Sequence, residues 1–338
     1  MYNHAMPLSI PRDRLRTLLD AASTKRVLVI GDAMLDEYLV GDVDRVSPEA
    51  PVPVVRVRER RYALGGAANV AQNVAASGAS CRLVATIGSD AAGEQLAGML
   101  SKAGISATDL VRVARPTTRK TRVLARSQQL VRVDEEDDRD LPPADVERLN
   151  GAIRSVIAKV DAVILEDYNK GLLVPAVITG AITAARERKL PVIVDPKYRH
   201  FFAYRGATVF KPNRRELDAA LGAAVDLEHP EAIPAALERL DVEYLLLTLG
   251  ERGMMLAGRR GGIDSVATMA REVYDVVGAG DTVTAYLATV LASGGTAQEA
   301  AVIANYAAGV EVGKLGAATV TPAEILGAYD EHATHVTR

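Results

Sequence analysis

The chain has 338 residues, 49% of them hydrophobic and 25% charged, with a formal net charge of −3. This is an ordinary globular composition, long enough for one large α/β domain, and it gives no reason to expect a nucleic-acid or membrane partner. The lone cysteine, Cys81, excludes an internal disulfide framework, and no run approaches the ~20 apolar residues of a membrane span.

Leu15, Leu18, Leu19 and Ala22 fall at helical spacing among Arg12, Arg14 and Arg16. This predicts a surface helix rather than a signal peptide, and a cytoplasmic protein by default. Arg26–Gly31 (RVLVIG) reads as a buried strand ending at Asp32. Acids at the carboxyl ends of such strands face the crevice where open α/β sheets bind ligands, so Asp32 either meets a ligand or caps the turn. Glu37–Arg58 is strand-like, but Pro48, Pro51 and Pro53 keep it from a sheet's centre and suit a small projecting sheet. Gly65-Gly66 then opens a helix to about Ser77, with Asn69 on its first turn; the glycines let a ligand approach the backbone. Cys81–Gly88 predicts another strand, followed by a helix to about Lys102. In Arg119–Asp134, two strand-like runs flank Ser127-Gln128-Gln129 and predict a hairpin. Lys120, Arg122, Leu124 and Arg126 share one face of it, successive members ~7 Å apart. That face is either solvated or a clamp for a phosphate, and the acidic run Asp134–Asp140 reads as a solvated loop.

From Pro142 onward helices and strands alternate: helix 143–158, strand 161–165, helix 174–189, strand 191–195, strand 207–210, helices 213–221 and 231–240, strand 244–249. Such alternation predicts βαβ units and a mostly parallel sheet. Three strands end in polar clusters: Glu166-Asp167-Tyr168-Asn169-Lys170, then Asp195-Pro196-Lys197, then Lys211-Pro212-Asn213 with Glu216. All three belong on the ligand side. The fourth ends at Thr248-Leu249-Gly250, with Gly253 in a turn. The richest stretch is Glu272–Val283, EVYDVVGAGDTV. Its loop Gly278-Ala279-Gly280 turns backbone N–H groups toward one point at the positive end of a helix, which suits a phosphate. Asp281 beside it makes sense as a base that takes a proton from a group attacking that phosphate. Helices to Leu291, over about Ala297–Val312 with Asn305, and over about Pro322–Tyr329 complete the chain.

The loop is not a dinucleotide fingerprint. Val283 stands where the third glycine of G-x-G-x-x-G belongs, which counts against a nicotinamide-dependent oxidoreductase, and no G-x-x-x-x-G-K-[ST] occurs. Gly65-Gly66-Ala67-Ala68-Asn69, Asn213-Arg-Arg-Glu216 and Asp275-Val-Val-Gly278-Ala-Gly280-Asp281 instead resemble, in order and spacing, the signatures of the ribokinase-like sugar kinases, the phosphofructokinase-B family. Val276 and Val277 depart from it, standing where Ser or Thr is frequent. The stretches GDAMLDEY (31–38), RVSPEAPVPVV (45–55), RKTRVLARSQQLVRVD (119–134), EDYNKG (166–171) and DPK (195–197) are similar to the branch acting on D-glycero-β-D-manno-heptose 7-phosphate. Rivals within the family are kinases for another sugar phosphate or a nucleoside.

The resemblance implies a three-layer α/β fold of 338 residues in a single kinase domain, with a lid formed by about 37–58 and 112–134 that pairs two subunits into a homodimer. It implies ATP and Mg2+ as cofactors, with K+ or Na+ near Asp275. Asp281 would be the general base, with Gly278, Ala279 and Gly280 as the anion hole. Asn213 and Glu216 would order Mg2+ through water, with Thr248, Gly250 and Gly253 near the ATP phosphates and Asn305 near the adenine. Asp32, Gly65, Gly66, Asn69, Asp167 and Asp195 would face the sugar. Lys170, Lys197, Lys120, Arg122 and Arg126 are the cations available for its 7-phosphate, with Arg122, Lys170 and Lys197 favoured. Since the branch is often fused to an adenylyltransferase, an end at Arg338 implies the stand-alone form.

Overall fold

The protein is described by a computed structural model covering residues 8–126, 128–226, 232–270 and 273–336; Ser127, Glu231 and Glu272 lie outside the described residues. The strands in chain order are β1 (Arg26–Gly31), β2 (Ala33–Val46), β3 (Pro53–Gly66), β4 (Ser80–Val84), β5 (Thr86–Ile87), β6 (Val111–Arg112), β7 (Arg119–Ala125) and β8 (Gln128–Glu135). There follow β9 (Ala162–Glu166), β10 (Val192–Asp195), β11 (Val209–Phe210), β12 (Tyr244–Thr248), β13 (Met254–Gly258) and β14 (Ile263–Val266).

The main sheet has the order β14-β13-β12-β11-β10-β9-β1-β4. From β4 to β12 every pairing is parallel. The hydrophobic runs VLVIG, AVILE and VIVD are buried throughout, because helices cover both faces of the sheet. On one side the helices Ala67–Ala76 and Ala279–Ala292 pack on each other and on β1 and β9; on the other, Pro143–Ile157 and Pro175–Glu187 do the same. The sequence did not announce β13 and β14, which extend the sheet antiparallel. Their short runs are set between glycines at 253, 258, 261 and 262, a pattern that also reads as loop.

A second sheet, β3-β2-β7-β8, is the projecting one. It reaches further inward than the predicted segments, since β2 starts just after Asp32 and β3 ends at Gly66, directly before a helix. Its inner ends are buried and its outer halves exposed. Arg112 does not join it: β6 pairs with β5, and the segment joins the sheet only at Arg119. Gly66 (φ +56°) is the hinge between sheet and helix, and a Cβ there would strike the Asp32 carbonyl oxygen. Both sheets therefore converge on the carboxyl ends of β1, β9, β10 and β11.

Candidate active site

Asp281 lies in the first turn of the helix Ala279–Ala292, whose N-cap is Gly278 at φ +99°. That left-handed conformation favours glycine, and a Cβ would crowd Glu311 Oε1 at 3.1 Å. The amides of Ala279, Gly280 and Asp281 have no acceptor within the helix, so an anion at this positive end would meet three N–H groups. Asp281 is buried, and its Oδ2 accepts a hydrogen bond from Asn69 Nδ2 at 2.7 Å, while Oδ1 accepts one from Tyr168 Oη at 2.9 Å. Burial pushes its pKa up to about 6; the Asn69 bond opposes the rise, Asp195 adds to it, and Tyr168 and Lys211 restrain it. A carboxylate oriented by two donors and titrating near neutrality is well suited to accept a proton.

Beside it, Asp195 Oδ2 accepts from the buried Lys211 Nζ at 2.7 Å. Both reach toward Gly280, where a Cβ would stand 3.6 Å from Lys211 Nζ. Glu166, ending β9, completes a group of three buried carboxylates with ligand oxygens within 4.8 Å of one another. The Asn213–Glu216 pair is a capping box: Asn213 Oδ1 accepts from Glu216 N at 2.9 Å and Glu216 Oε2 from Asn213 N at 2.8 Å. Glu216 Oε1 accepts from Lys197 Nζ at 2.5 Å, and Lys197 also sits over the Tyr168 ring. Both Glu216 oxygens are thus engaged.

Asp32 is buried and organises the loop after β9, accepting from the amides of Tyr168 (2.9 Å), Lys170 (3.0 Å) and Leu172 (3.3 Å). Asp167 likewise accepts from Asn169 N and Tyr204 Oη. In the projecting sheet, Arg122 Nη1 donates to Asp36 Oδ1 at 2.5 Å, close to where a Cβ on Gly65 would fall. Lys120 pairs with Asp134 and Glu136, and Lys170 with Glu136 at 2.8 Å. The run from Asp134 is therefore not merely solvated; two of its acids hold the lysines in place. Arg126 sits at the exposed hairpin turn, away from this group.

Thr248 bridges to Asn213, with Gly250 (φ +63°) and Gly253 (φ +81°) in the following turn. Asn305 is buried and donates to the Ala267 carbonyl at 2.6 Å. Asp275 accepts from Val277 N and Gly316 N, which closes the segment leading into the glycine loop.

The pfkB family carbohydrate kinase profile matches residues 24–324. The chain belongs to the pfkB family of carbohydrate kinases. It is 44% identical over 324 residues to the bifunctional protein HldE of Rhodospirillum rubrum, covering 95% of this chain and 65% of that protein. To the HldE of Gluconacetobacter diazotrophicus it is 46% identical over 307 residues, with 90% and 63% covered. The chain thus spans less than two thirds of these relatives' length. Its fold matches Arabidopsis thaliana ribokinase complexed with ribose and ATP (TM-score 0.71, 21% identity, 90% of this chain and 98% of that one). It also matches Escherichia coli phosphofructokinase-2 in complex with potassium (TM-score 0.74, 18% identity, 91% and 99%).

For this carbohydrate kinase the sequence brought Asp281, the glycine loop, Asn69, Asp195 and Lys197 to one place. It missed Tyr168 and Lys211 as partners of Asp281 and Asp195, although both lie in the polar clusters that end strands. It set Glu166 among the strand-end acids without giving it a role, and it missed Glu311; among the described residues neither buried carboxylate has a side-chain hydrogen-bond partner. A glutamate closing an all-apolar strand (AVILE) was the available signal for Glu166.

Proposed function

We propose that this carbohydrate kinase transfers the γ-phosphoryl group of ATP to the C1 hydroxyl of D-glycero-β-D-manno-heptose 7-phosphate. The products are heptose 1,7-bisphosphate and ADP, in the ADP-heptose route to the lipopolysaccharide inner core. The observation that carries the reading is the buried Asp281, oriented by Asn69 and Tyr168 at the N-terminus of a helix whose first amides face the same point. Asp281 takes the C1 hydroxyl proton as that oxygen bonds to the γ-phosphorus, and the bond to the ADP oxygen breaks. General-base help contributes on the order of 10²–10⁴-fold. The Ala279, Gly280 and Asp281 amides stabilise the charge on the transferring group, each worth roughly 2.7–4 kcal/mol in comparable sites. Lys211, beside Gly280, adds a cation there.

Arg122, Lys170 and Lys197 are the cations we assign to the 7-phosphate; each is already held by a carboxylate, so the phosphate would share or displace it. Mg2+ would neutralise the ATP phosphates, and the surplus of buried carboxylate around Asp195 fits such an ion. A K+ or Na+ fits beside Asp275, where the buried Glu311 carboxylate meets the Ala318 amide but no side-chain donor among the described residues. Exposed Val43, Val46, Val57, Val131 and Val133 on the projecting sheet support its use as a lid that pairs two copies. No helix of the described residues is long and apolar enough to cross a membrane; a kinase that draws on ATP would work in the cytoplasm.

The test incubates the protein with ATP, Mg2+ and a panel of sugar phosphates, sugars and nucleosides, following ADP. Release of ADP with heptose 7-phosphate far above the other acceptors is expected; preference for an unphosphorylated pentose or a nucleoside would sink the substrate assignment.

A further inference from the structure

Asn69, Asn73 and Ser77 follow one another at four-residue spacing along the helix Ala67–Ala76 and its C-terminal cap, so they share one face. That face packs on the helix Ala279–Ala292, and all three residues are buried. Polar side chains inside a helix interface are costly unless each is paired. Asn73 pairs in two directions. Its Nδ2 donates to Asn69 Oδ1 at 3.3 Å and to the Asn69 carbonyl oxygen at 3.1 Å, and its Oδ1 accepts from Thr282 Oγ1 at 3.1 Å. Asn69 Nδ2 in turn donates to Asp281 Oδ2 at 2.7 Å.

The order of donors in this chain is dictated from its Asp281 end. An ionised carboxylate only accepts, so Asn69 turns its NH2 group to Asp281 and its oxygen to Asn73. Asn73 must then donate, which leaves its own oxygen for the Thr282 hydroxyl. On the same helix Thr284 and Thr289 donate to the carbonyls of Gly280 and Ala285, four residues back, whereas Thr282 donates to Asn73. We propose that Asn73, set by Thr282, is a positioning residue for phosphoryl transfer: it holds the Asn69 amide on Asp281 and so keeps the carboxylate aimed at the acceptor hydroxyl. Asn73 is wholly buried and acts only through Asn69. Without it the Asn69 amide is free to swing off the carboxylate. Ser77, whose hydroxyl lies 3.2 Å from that of Thr289, belongs to the same stripe but makes no bond to the Asp281 chain, so it tests the packing alone. The inference rests on the kinase reading for the work that Asp281 does.

The experiment measures steady-state kinetics with ATP, Mg2+ and the sugar phosphate turned over fastest, for wild type, Asn73→Leu, Asn69→Ala and the double variant, with thermal melts alongside. Asn73→Leu is expected to lower kcat about 10-fold while both KM values stay within about 2-fold. In the Asn69→Ala background the same change should cost less than about 2-fold more, because the residue it acts through is gone. Ser77→Ala should lower Tm and leave kcat unchanged. If Asn73→Leu does not fold, Thr282→Val takes its place, with a loss in kcat of about 2–5-fold that likewise disappears in the Asn69→Ala background. An unchanged kcat in Asn73→Leu, or an equal loss with and without Asn69, would overturn the inference and leave the kinase reading standing. A wild type inactive toward every acceptor would overturn both.

Discussion

Asp32 and Glu166 stand at the ends of adjacent parallel strands, with Gly31 in register with Glu166, and both are buried carboxylates. Asp32 accepts three backbone N–H groups from the loop 168–172; Glu166 accepts none among the described residues. The Asp32 pKa is pushed up to about 6 by burial and by Asp167, with the loop amides holding it down. Glu166 lies well above its ordinary range, through burial and then Asp195 and Asp281. The strand-end rule placed both on the ligand side but could not tell their duties apart. What distinguishes them is the supply of donors. A carboxylate saturated by amides fixes a loop, whereas one without donors among other acids holds its proton more tightly.

The largest expected effect on that contrast comes from Asp32→Ala. It strands three amides and should cost about 3–5 kcal/mol in urea denaturation, charged hydrogen bonds being worth ~1.5–3 kcal/mol each. Glu166→Gln, measured alongside in metal-free buffer, should unfold at the same or a higher urea concentration. Equal losses in the two variants would erase the distinction.

Asp281 is the intermediate case, with two side-chain donors instead of three amides. Asp281→Asn should lose ~10²-fold or more in kcat while binding ATP nearly normally; an unchanged kcat would remove it from the mechanism. Tyr168→Phe takes away one of those donors, worth roughly 0.5–1.5 kcal/mol, and kcat should drop by about 2–10-fold. A larger loss would mean that Tyr168 meets the substrate itself.

Glu311, on the far side of Gly278, is another buried carboxylate poor in donors, restrained only by the Ala318 amide and by Lys314, and the smallest effect is expected there. Burial first, then Asp275 and Asp281, pushes its pKa up to about 8 from an ordinary 4.5. The folded state therefore keeps a proton that the unfolded chain has released, so this contribution to stability is full below pH 4.5 and is lost as pH rises through 8. In buffer free of Na+ and K+, Glu311→Gln should melt progressively higher than wild type as pH is raised from 5 to 9. A melting difference independent of pH would contradict the assignment.

Much of this centre was legible in the sequence because its signals are local. Gly278-Ala279-Gly280-Asp281 is a loop, a helix start and an acid in four residues, and the polar clusters directly follow apolar runs. The alternation of helices and strands likewise gave the parallel part of the main sheet. What stayed hidden depends on distant partners. Asn69 and Asp281 are neighbours in space but 212 residues apart in the chain, and nothing near Asn69 in the sequence shows that its amide serves a carboxylate rather than a sugar. Glu136 looked solvated because Lys120 and Lys170, which it bridges, come from separate parts of the chain. Asn213 and Glu216 matched a metal pattern, yet the same spacing also makes a capping box, and only Lys197 reveals how fully Glu216 is engaged.

The most direct test of the account is phosphorus NMR of the product formed from ATP, Mg2+ and heptose 7-phosphate by wild type and Asp281→Asn. The account predicts a new phosphate resonance coupled to the anomeric proton, formed by wild type and nearly absent with the variant. A phosphate ester on any other carbon, or the same signal at the same rate from Asp281→Asn, would contradict it.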